Sequence, residues 1–540
     1  MVNNYNAIVI GGGHNGLAAG AYLAKNGAKT IVLEAREKTG GSTDTSAPWP
    51  ERPDIKVTTL SYTCFMIPKH IIEDLQLKKF GYKTNPLGLG YLPHPDGRSL
   101  LGASDEKRMW ESYAQFSKHD ADNVFPYYEW IGRIAAILLP VLDRTPPNIS
   151  STNPRDVADL GQFAWFLRKE LDRRTVADIT RLFTMSAADL LDRWFENPII
   201  KGNEAVNGVI GTWAGPRTPG TAYVLMHHSL GEEEEGQVAT TGLPEGGTGA
   251  VADAFRASAE SLGAEVRVNA PVERVLVNGG RVAGVVLEGG EELHAKTIVT
   301  ACHPQITFLQ QIDAKDLPDD FVHDMQHWRS RSGTVKINLA LDRLPEFTAD
   351  PGFDPAIQGG AITILDDIEQ MEQAYQDAAA GRGAKQPFSD CEIPTVFDKT
   401  LAPEGVHIMS MFSQWVPYTW ADKPHKRELD AYADRLIDRF DLIAPGFKDS
   451  IMFRQVIGPH EMQEEFKLIG GNIFHGELAV DQLFHMRPAV GYADYRSPIK
   501  GLYQASSGTH AGGGISGLPA HHAVREIMLD RKRARRGLPA

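Results

Sequence analysis

Cysteine is scarce in this sequence. The 540 residues hold three, Cys64, Cys302 and Cys391, far apart and without a C-x-x-C pair, which excludes a disulfide framework, a cysteine zinc site and a dithiol redox centre and fits a reducing cytoplasm. Long apolar runs are missing too: the best candidate, IGRIAAILLPVL at 131–142, contains Arg133 and Pro140 and falls short of the ~20 residues a membrane span needs. It reads as a buried helix. No basic flank precedes the apolar AIVIGGG stretch, so no cleavable signal is read. Positive charge is in deficit, 55 Lys and Arg against 69 Asp and Glu for a net −14, which argues against a nucleic-acid partner. No serine has the G-x-S-x-G surroundings of a hydrolase elbow. The adjacent pairs His227-His228 and His521-His522 lack the i, i+4 spacing that puts two ligands on one helix face, so no metal site is read. The expectation is a cytoplasmic protein, with peripheral contact at a membrane and homo-oligomer formation left open.

What is present is a soluble globular composition, 42% hydrophobic and 23% charged, on a chain long enough for two domains. The N-terminus predicts a strand at 6–10, a glycine turn, a helix at 17–26 and a β-branched strand at 30–33, the opening of a βαβ unit. Aromatic amphipathic stretches and proline-rich loops from 82 to 240 predict a mainly helical insertion, and GEEEEG at 231–236 reads as a solvated loop. A helix at 251–262, a hairpin turning at Asn278-Gly279-Gly280, a second turn at Gly289-Gly290 and a strand ending at Ala301 bring back α/β character. Strand, glycine turn and helix (518–530) recur at the end, before a basic tail expected to fray. The fold class is therefore α/β: a Rossmann-type domain from discontinuous segments (1–80, 241–302 and 484–540) with an interleaved α+β substrate domain (81–240 and 303–483).

GGGHNG matches G-x-G-x-x-G through Gly11, Gly13 and Gly16, and Glu34 ends the next predicted strand. In that context Gly11 permits the tight turn and Gly13 lets backbone approach a pyrophosphate. Gly16 lets helix and strand pack closely, the helix N-terminus attracts the anion, and Glu34 accepts ribose hydroxyls. The continuation EAREKTGGSTD, with Arg36, Gly40, Gly41 and Ser42, is similar to FAD-binding proteins of the glutathione reductase and amine oxidase superfamily, and favours noncovalent FAD over NAD. No second such glycine motif follows a strand.

Five further stretches, IVIGGGHNGLAAGAYLAKNG, LPEGGTGAVADAF, EIPTVFDKTLAPEGVHIMS, GGNIFHGELAVDQLFHMRP and SPIKGLYQASSGTHAGGGISGLPAHHA, resemble the bacterial-type phytoene desaturase family, with its branch of desaturase-like carotene ketolases. The chain departs from many members at Ser42, where arginine is common, and at THAGG, where THPG is common. The resemblance implies an FAD-dependent oxidoreductase moving hydrogen at C–C bonds of an apolar small molecule. It implies that the backbone of Val272 holds the adenine. The isoalloxazine ring lies by the final glycine turn, where Ser507, Gly508, Thr509, Gly514 and Ile515 would bring backbone N–H groups to it and the helix beyond directs its positive end there.

On this reading a substrate carbon gives a hydride to the flavin, the neighbouring proton leaves to a base or water, and oxygen, a quinone or NAD(P)+ restores the cofactor. His510, inside that final turn, is the first candidate base, with ordering of the turn an equal alternative. Arg487, Tyr492 and His475 read as substrate contacts or structural hydrogen bonders. Two rival functions are an amine oxidase acting on a C–N bond, which calls for an aromatic cage, and a non-catalytic escort like the Rab-GDI relatives.

Overall fold

The strand Ala7–Ile10 (β1) is apolar at every position and buried on both faces, as the centre of a parallel sheet requires. It leads through the glycine turn into His14–Lys25 (α1), then Thr30–Leu33 (β2). The sheet is completed far downstream by Thr248–Ser261 (α2), Glu265–Arg267 (β3), Ile298–Thr300 (β4), Leu502–Gln504 (β5) and Leu518–Arg535 (α3). Its order is β5-β4-β1-β2-β3, parallel throughout. The computed structural model describes residues 4–61, 63–64, 67–102, 105–149, 154–230 and 242–537, so the GEEEEG run lies outside the described residues.

One face of this sheet is covered by α1, α2 and α3, whose Leu17, Ala21, Phe255, Val524 and Ile527 share a core. The other face packs on a three-stranded antiparallel meander, Val272–Asn278, Arg281–Leu287 and Glu292–His294, through Ile8, Ile31, Val285 and Leu293. The meander turns through Gly279 and Gly280, both at positive φ (57° and 72°), the conformation a two-residue hairpin loop demands.

The second body is built on a seven-stranded sheet in the order Ile451–Ile457, Thr334–Leu341, His407–Gln414, Phe388–Glu392, Ala361–Ile364, Gly90–Pro93 and Ser99–Leu101. Residues 82–240 are mainly helical, as the sequence reads, but the last two strands of this sheet also come from that segment. They are short, and they fold back through the turn at Gly97 (φ 87°) with His94 N–H donating to Arg98 O, a hairpin hidden among prolines and aromatics. The helix Lys118–Leu142, capped by Ser117, accommodates Pro126 and Pro140 and buries the stretch singled out for its apolarity. Among the described residues no helix is long and apolar enough to cross a membrane.

The sheet's two faces differ in kind. Val335, Ile337, Leu339, Met409 and Met411 face the helix Lys426–Ile443 and its Leu429, Tyr432, Leu436 and Phe440. The alternate positions Lys336, Asn338, Asp390, Glu392, Ser410 and Gln414 form the opposite face, because successive side chains in a strand point opposite ways. That polar face is turned to the parallel-sheet body: Asn338 Nδ2 donates to Thr59 O at 3.3 Å.

The basic segment expected to fray is helical in its first part, and residues 538–540 lie outside the described residues. The helix α3 runs to Arg535, and it is anchored by Asp530, which accepts from Arg496 at 2.7 Å and from the Tyr503 hydroxyl at 2.8 Å. Leu436 is fully buried between helix and sheet. Leu436→Ala is expected to cost about 2–5 kcal/mol, read as a lowered denaturant midpoint with an unchanged circular dichroism spectrum at zero denaturant.

Candidate cofactor and substrate site

The N-terminal turn separates glycines the chain needs from one it does not. A Cβ on Gly16 would stand 1.8 Å from Gly11 O, and Gly11 itself has φ 97°. Gly40 is equally confined, its Cβ position lying 2.3 Å from Thr43 O. Gly13 has ordinary backbone angles, φ −68° and ψ 169°, and a Cβ there would meet nothing nearer than Gly40 O at 3.7 Å. The fold tolerates a side chain at 13; a ligand lying against that backbone would not. The residues present therefore fit a dinucleotide phosphate at the uncapped N-terminus of α1, which has no acidic residue in its first turn to compete with an anion.

Glu34, 7% exposed, is aimed into this turn. Its carboxylate accepts Gly12 N–H at 2.7 Å and Arg36 N–H at 2.9 Å. Arg36 in turn donates to Gly41 O at 3.3 Å. Ala270 N–H donates to Glu34 O at 2.8 Å, which carries Val272 past the end of β2; the Val272 carbonyl accepts Gln311 Nε2 at 3.0 Å.

The two glycine turns meet although nearly five hundred residues separate them. Asn15 Nδ2 donates to Ser507 Oγ at 3.4 Å, while Asn15 Oδ1 is buried without a partner. Beside this junction a cleft of about 230 Å³ opens, lined by His14 from the first turn, by Ser42 and Ser61 further along the chain, and by Ser507, Gly514 and Ile515 from the last turn. Its remaining wall comes from the second body: Leu87, Asn207, Ile210, His228, Ala361, Asp390, Glu392, Ile473 and Phe474, with Thr63 at the edge. Gly514 (φ 104°) and Ile515 (φ 57°) both hold left-handed backbone, which lays main chain rather than side chains along the cleft.

Other residues of the last turn stand behind the cleft. Gly508 N–H donates to Ser506 Oγ and Thr509 N–H to Ser506 O, so these two form the loop and are not donors to a ligand. The glycine at 508 is required by Pro304, 2.5 Å from a Cβ position, and that at 513 by the Phe474 ring at 2.0 Å. His510 is a correction of the same sort. It is 2% exposed, it is absent from the cleft lining, its Nε2 meets Val141 O at 3.1 Å, and its ring packs on Phe484. It ties the turn to the helix Lys118–Leu142 instead of facing a substrate. Tyr492 packs on Phe321 away from the cleft, and the half-buried His475 packs beside His303.

Arg487, 1% exposed, is the structural hub. Its guanidinium donates to the carbonyls of Phe474, Gly476, Glu477 and Gln482 on one side and of Ser507 and Thr509 on the other, the shortest being Ser507 O at 2.8 Å. Burial lowers it to about 10, still above neutrality, so it stays charged.

Sequence reasoning missed His14, Asn15 and His228 as cleft or junction residues. The first two sit inside the glycine motif at positions the pattern leaves open, and His228 belongs to a pair dismissed on metal spacing. His228 Nδ1 is shared with Val224 O at 2.9 Å. Burial lowers both His14 and His228 to about 4, so both are neutral imidazoles at pH 7.

The relatives of this chain agree with that geometry. Over 98% of its length it is 36% identical to pyridine nucleotide-disulfide oxidoreductase domain-containing protein 2 of Rattus norvegicus, covering 94% of that protein. The chain belongs to that family, within the FAD oxidoreductase superfamily. Residues 9–65 match the NAD(P)-binding Rossmann-like domain and 211–384 the flavin containing amine oxidoreductase family. It is 24% identical to a limonene dehydrogenase polypeptide of Castellaniella defragrans (98% of this chain, 95% of that one) and 23% identical to the chloroplastic prolycopene isomerase of Daucus carota (98% and 81%). A putrescine oxidase variant shares the fold, with a TM-score of 0.62 over 99% of this chain and 100% of that one at 15% identity. Like its family, the protein is an FAD-dependent oxidoreductase of the amine oxidase superfamily. Its three cysteines are unpaired thiols, and burial pushes Cys64 and Cys302 up to about 12, so they supply no dithiol chemistry.

Two measurements follow. Gly13→Ala is expected to keep the thermal unfolding midpoint of the FAD-free protein while abolishing retained FAD, whereas Gly16→Ala lowers the midpoint of the FAD-free protein itself. The buried histidines give a pH dependence. His14, His228 and His510 fall from 6.5 to about 4 and His475 to about 3 on folding. The unfolded chain therefore binds protons that the folded chain refuses, and stability present above pH 6.5 is lost as the pH drops through that window. Urea midpoints should be flat just above pH 6.5 and fall steeply between 6.5 and 4, with a shallower fall in His510→Asn.

Proposed function

We propose that the protein is a desaturase-type dehydrogenase, removing hydrogen from a C–H bond of an apolar, isoprenoid- or lipid-like small molecule bound in the cleft beside the two glycine turns. The observation carrying this reading is the lining: among the described residues Leu87, Ile210, Ala361, Ile473 and Phe474 give an apolar wall with one phenyl ring, and no second such ring faces it there as an aromatic cage for an amine would require. Similarity to the limonene dehydrogenase polypeptide supports the same class.

FAD, when bound, supplies the hydride acceptor. Gly11, Gly13 and Gly16 with the N-terminus of α1 would hold its phosphates, Glu34 and Arg36 its adenosine side with Val272, and Gly40, Gly41 and Ser42 the adjoining stretch. Ser507, Gly514 and Ile515 would border its ring. The chain's own contribution is position and proton handling. The apolar wall orients the substrate and excludes water. His14 and His228 are neutral and line the cleft, so either can take the proton released next to the reacting carbon. Oxygen, a quinone or NAD(P)+ serves as electron acceptor. His510 acts only on the shape of the last turn.

The test is an anaerobic screen of the FAD-loaded protein against isoprenoid hydrocarbons and alcohols and against primary amines, following bleaching of the flavin. Bleaching by the isoprenoids and none by amines is expected; bleaching by amines with peroxide formed in air overturns the reading. His228→Gln should slow reduction by roughly 100-fold or more at unchanged FAD content, and His510→Gln should change FAD retention more than the rate.

A further inference from the structure

One part of the cleft wall, beside the apolar side chains, is polar. It is the polar face of the seven-stranded sheet, and it brings charged groups into the interior. Glu392 lies opposite Ser410, which lies opposite Asn338; one step along the same strands, Asp390 lies opposite Phe412 and Phe412 opposite Lys336. Lys336 is fully buried and its Nζ donates to Ser410 Oγ. Both carboxylates line the cleft. Glu392 is 1% exposed, and its Oε1 is buried without a hydrogen-bond partner. A buried carboxyl oxygen left unsatisfied is destabilising, and this one belongs to a side chain that lines the cleft.

We propose that this face is the recognition site for a neutral hydroxyl on the substrate, so that the natural substrate is an apolar molecule with an alcohol group, held by Glu392 at one end and presented to the cofactor turns at the other. The inference rests on the reading of the cleft as the substrate site. Charge selects among head groups. A carboxylate meets two acidic side chains. An ammonium meets Lys336 and a Glu392 whose burial favours the uncharged carboxyl, so it gains no ion pair there. A hydroxyl both donates and accepts, so it satisfies Glu392 whether or not that carboxyl carries a proton. Burial raises Glu392 well above the ordinary carboxylate range, against the opposing pull of Lys336, which favours a neutral partner.

The experiment uses FAD-loaded protein and three chain-matched probes, octan-1-ol, octane and octylamine, with binding read from the flavin absorbance change and the shift in thermal midpoint. Octanol is expected to bind, and the octane-to-octanol ratio of dissociation constants should fall by about tenfold or more in Glu392→Leu while Glu392→Gln, which can still donate and accept, keeps most of it. Equal FAD content in the variants shows that the fold is retained. Should Glu392→Leu fail to fold, difference infrared spectroscopy of the wild type decides: octanol shifts a carboxyl C=O or carboxylate stretching band that is missing in Glu392→Gln, and octane does not. No binding of octanol, an unchanged ratio in Glu392→Leu, no band shift, or octylamine as the tightest probe overturns the proposal. None of these readouts depends on turnover, so a failure to find any C–H donor that bleaches the flavin counts against the dehydrogenase reading alone.

Discussion

The buried guanidinium of Arg487 is the constraint on which the site's geometry depends. Among the described residues no carboxylate pairs with it; its donors go to carbonyl oxygens of two chain segments, 474–482 and 507–509. A carbonyl left unpaired in the interior is costly, and a guanidinium presents a planar fork of five donors that no other side chain can match. The last glycine turn has little side chain with which to hold a shape, so its conformation is imposed from outside, by Arg487 on one flank and by His510 on Val141 O on the other. Phe474 connects this support to the cleft, since its carbonyl is bonded to Arg487 while its ring fills the space a Cβ on Gly513 would need.

The glycines thus divide by what limits them. Gly16, Gly40, Gly508 and Gly513 are confined by protein atoms, Gly11 and Gly514 by backbone conformation, and Gly13 by neither. A motif search treats them alike. In physical terms the position with room to spare carries the functional information, because the constraint there must come from a molecule that is not part of the chain.

Much of this architecture was legible in the sequence. The strand, turn and helix around GGGHNG, the hairpin at Gly279-Gly280 and the return of α/β character at the C-terminus rest on local rules that tertiary packing did not override. Ser42, Ser507, Gly514 and Ile515 do line the cleft. The misreadings have a common cause, which is that a side chain's direction is decided by distant partners. His510 looked exposed to a ligand because its own turn is glycine-rich, yet its partner lies on the helix Lys118–Leu142. The hairpin at 90–101 is too short to show a period. The polar face was signalled, though, in TVKINLAL: Thr334, Lys336 and Asn338 alternate with Val335, Ile337 and Leu339 in a strand that is buried throughout. Polar residues on one face of an otherwise hidden strand mean that this face borders something other than a core.

The parallel sheet also sets an order of events during synthesis. β1 and β2 emerge first, but β5, which closes the sheet's far edge, begins only at Leu502. At about 5–20 residues per second the interval between β2 and β5 is roughly half a minute to a minute and a half. Throughout it the phosphate turn is complete while β5 and the ring-side loop are missing. A nascent chain in that state exposes an unpaired edge and holds half of a cofactor site, so the two glycine turns can meet only after β5 has been made.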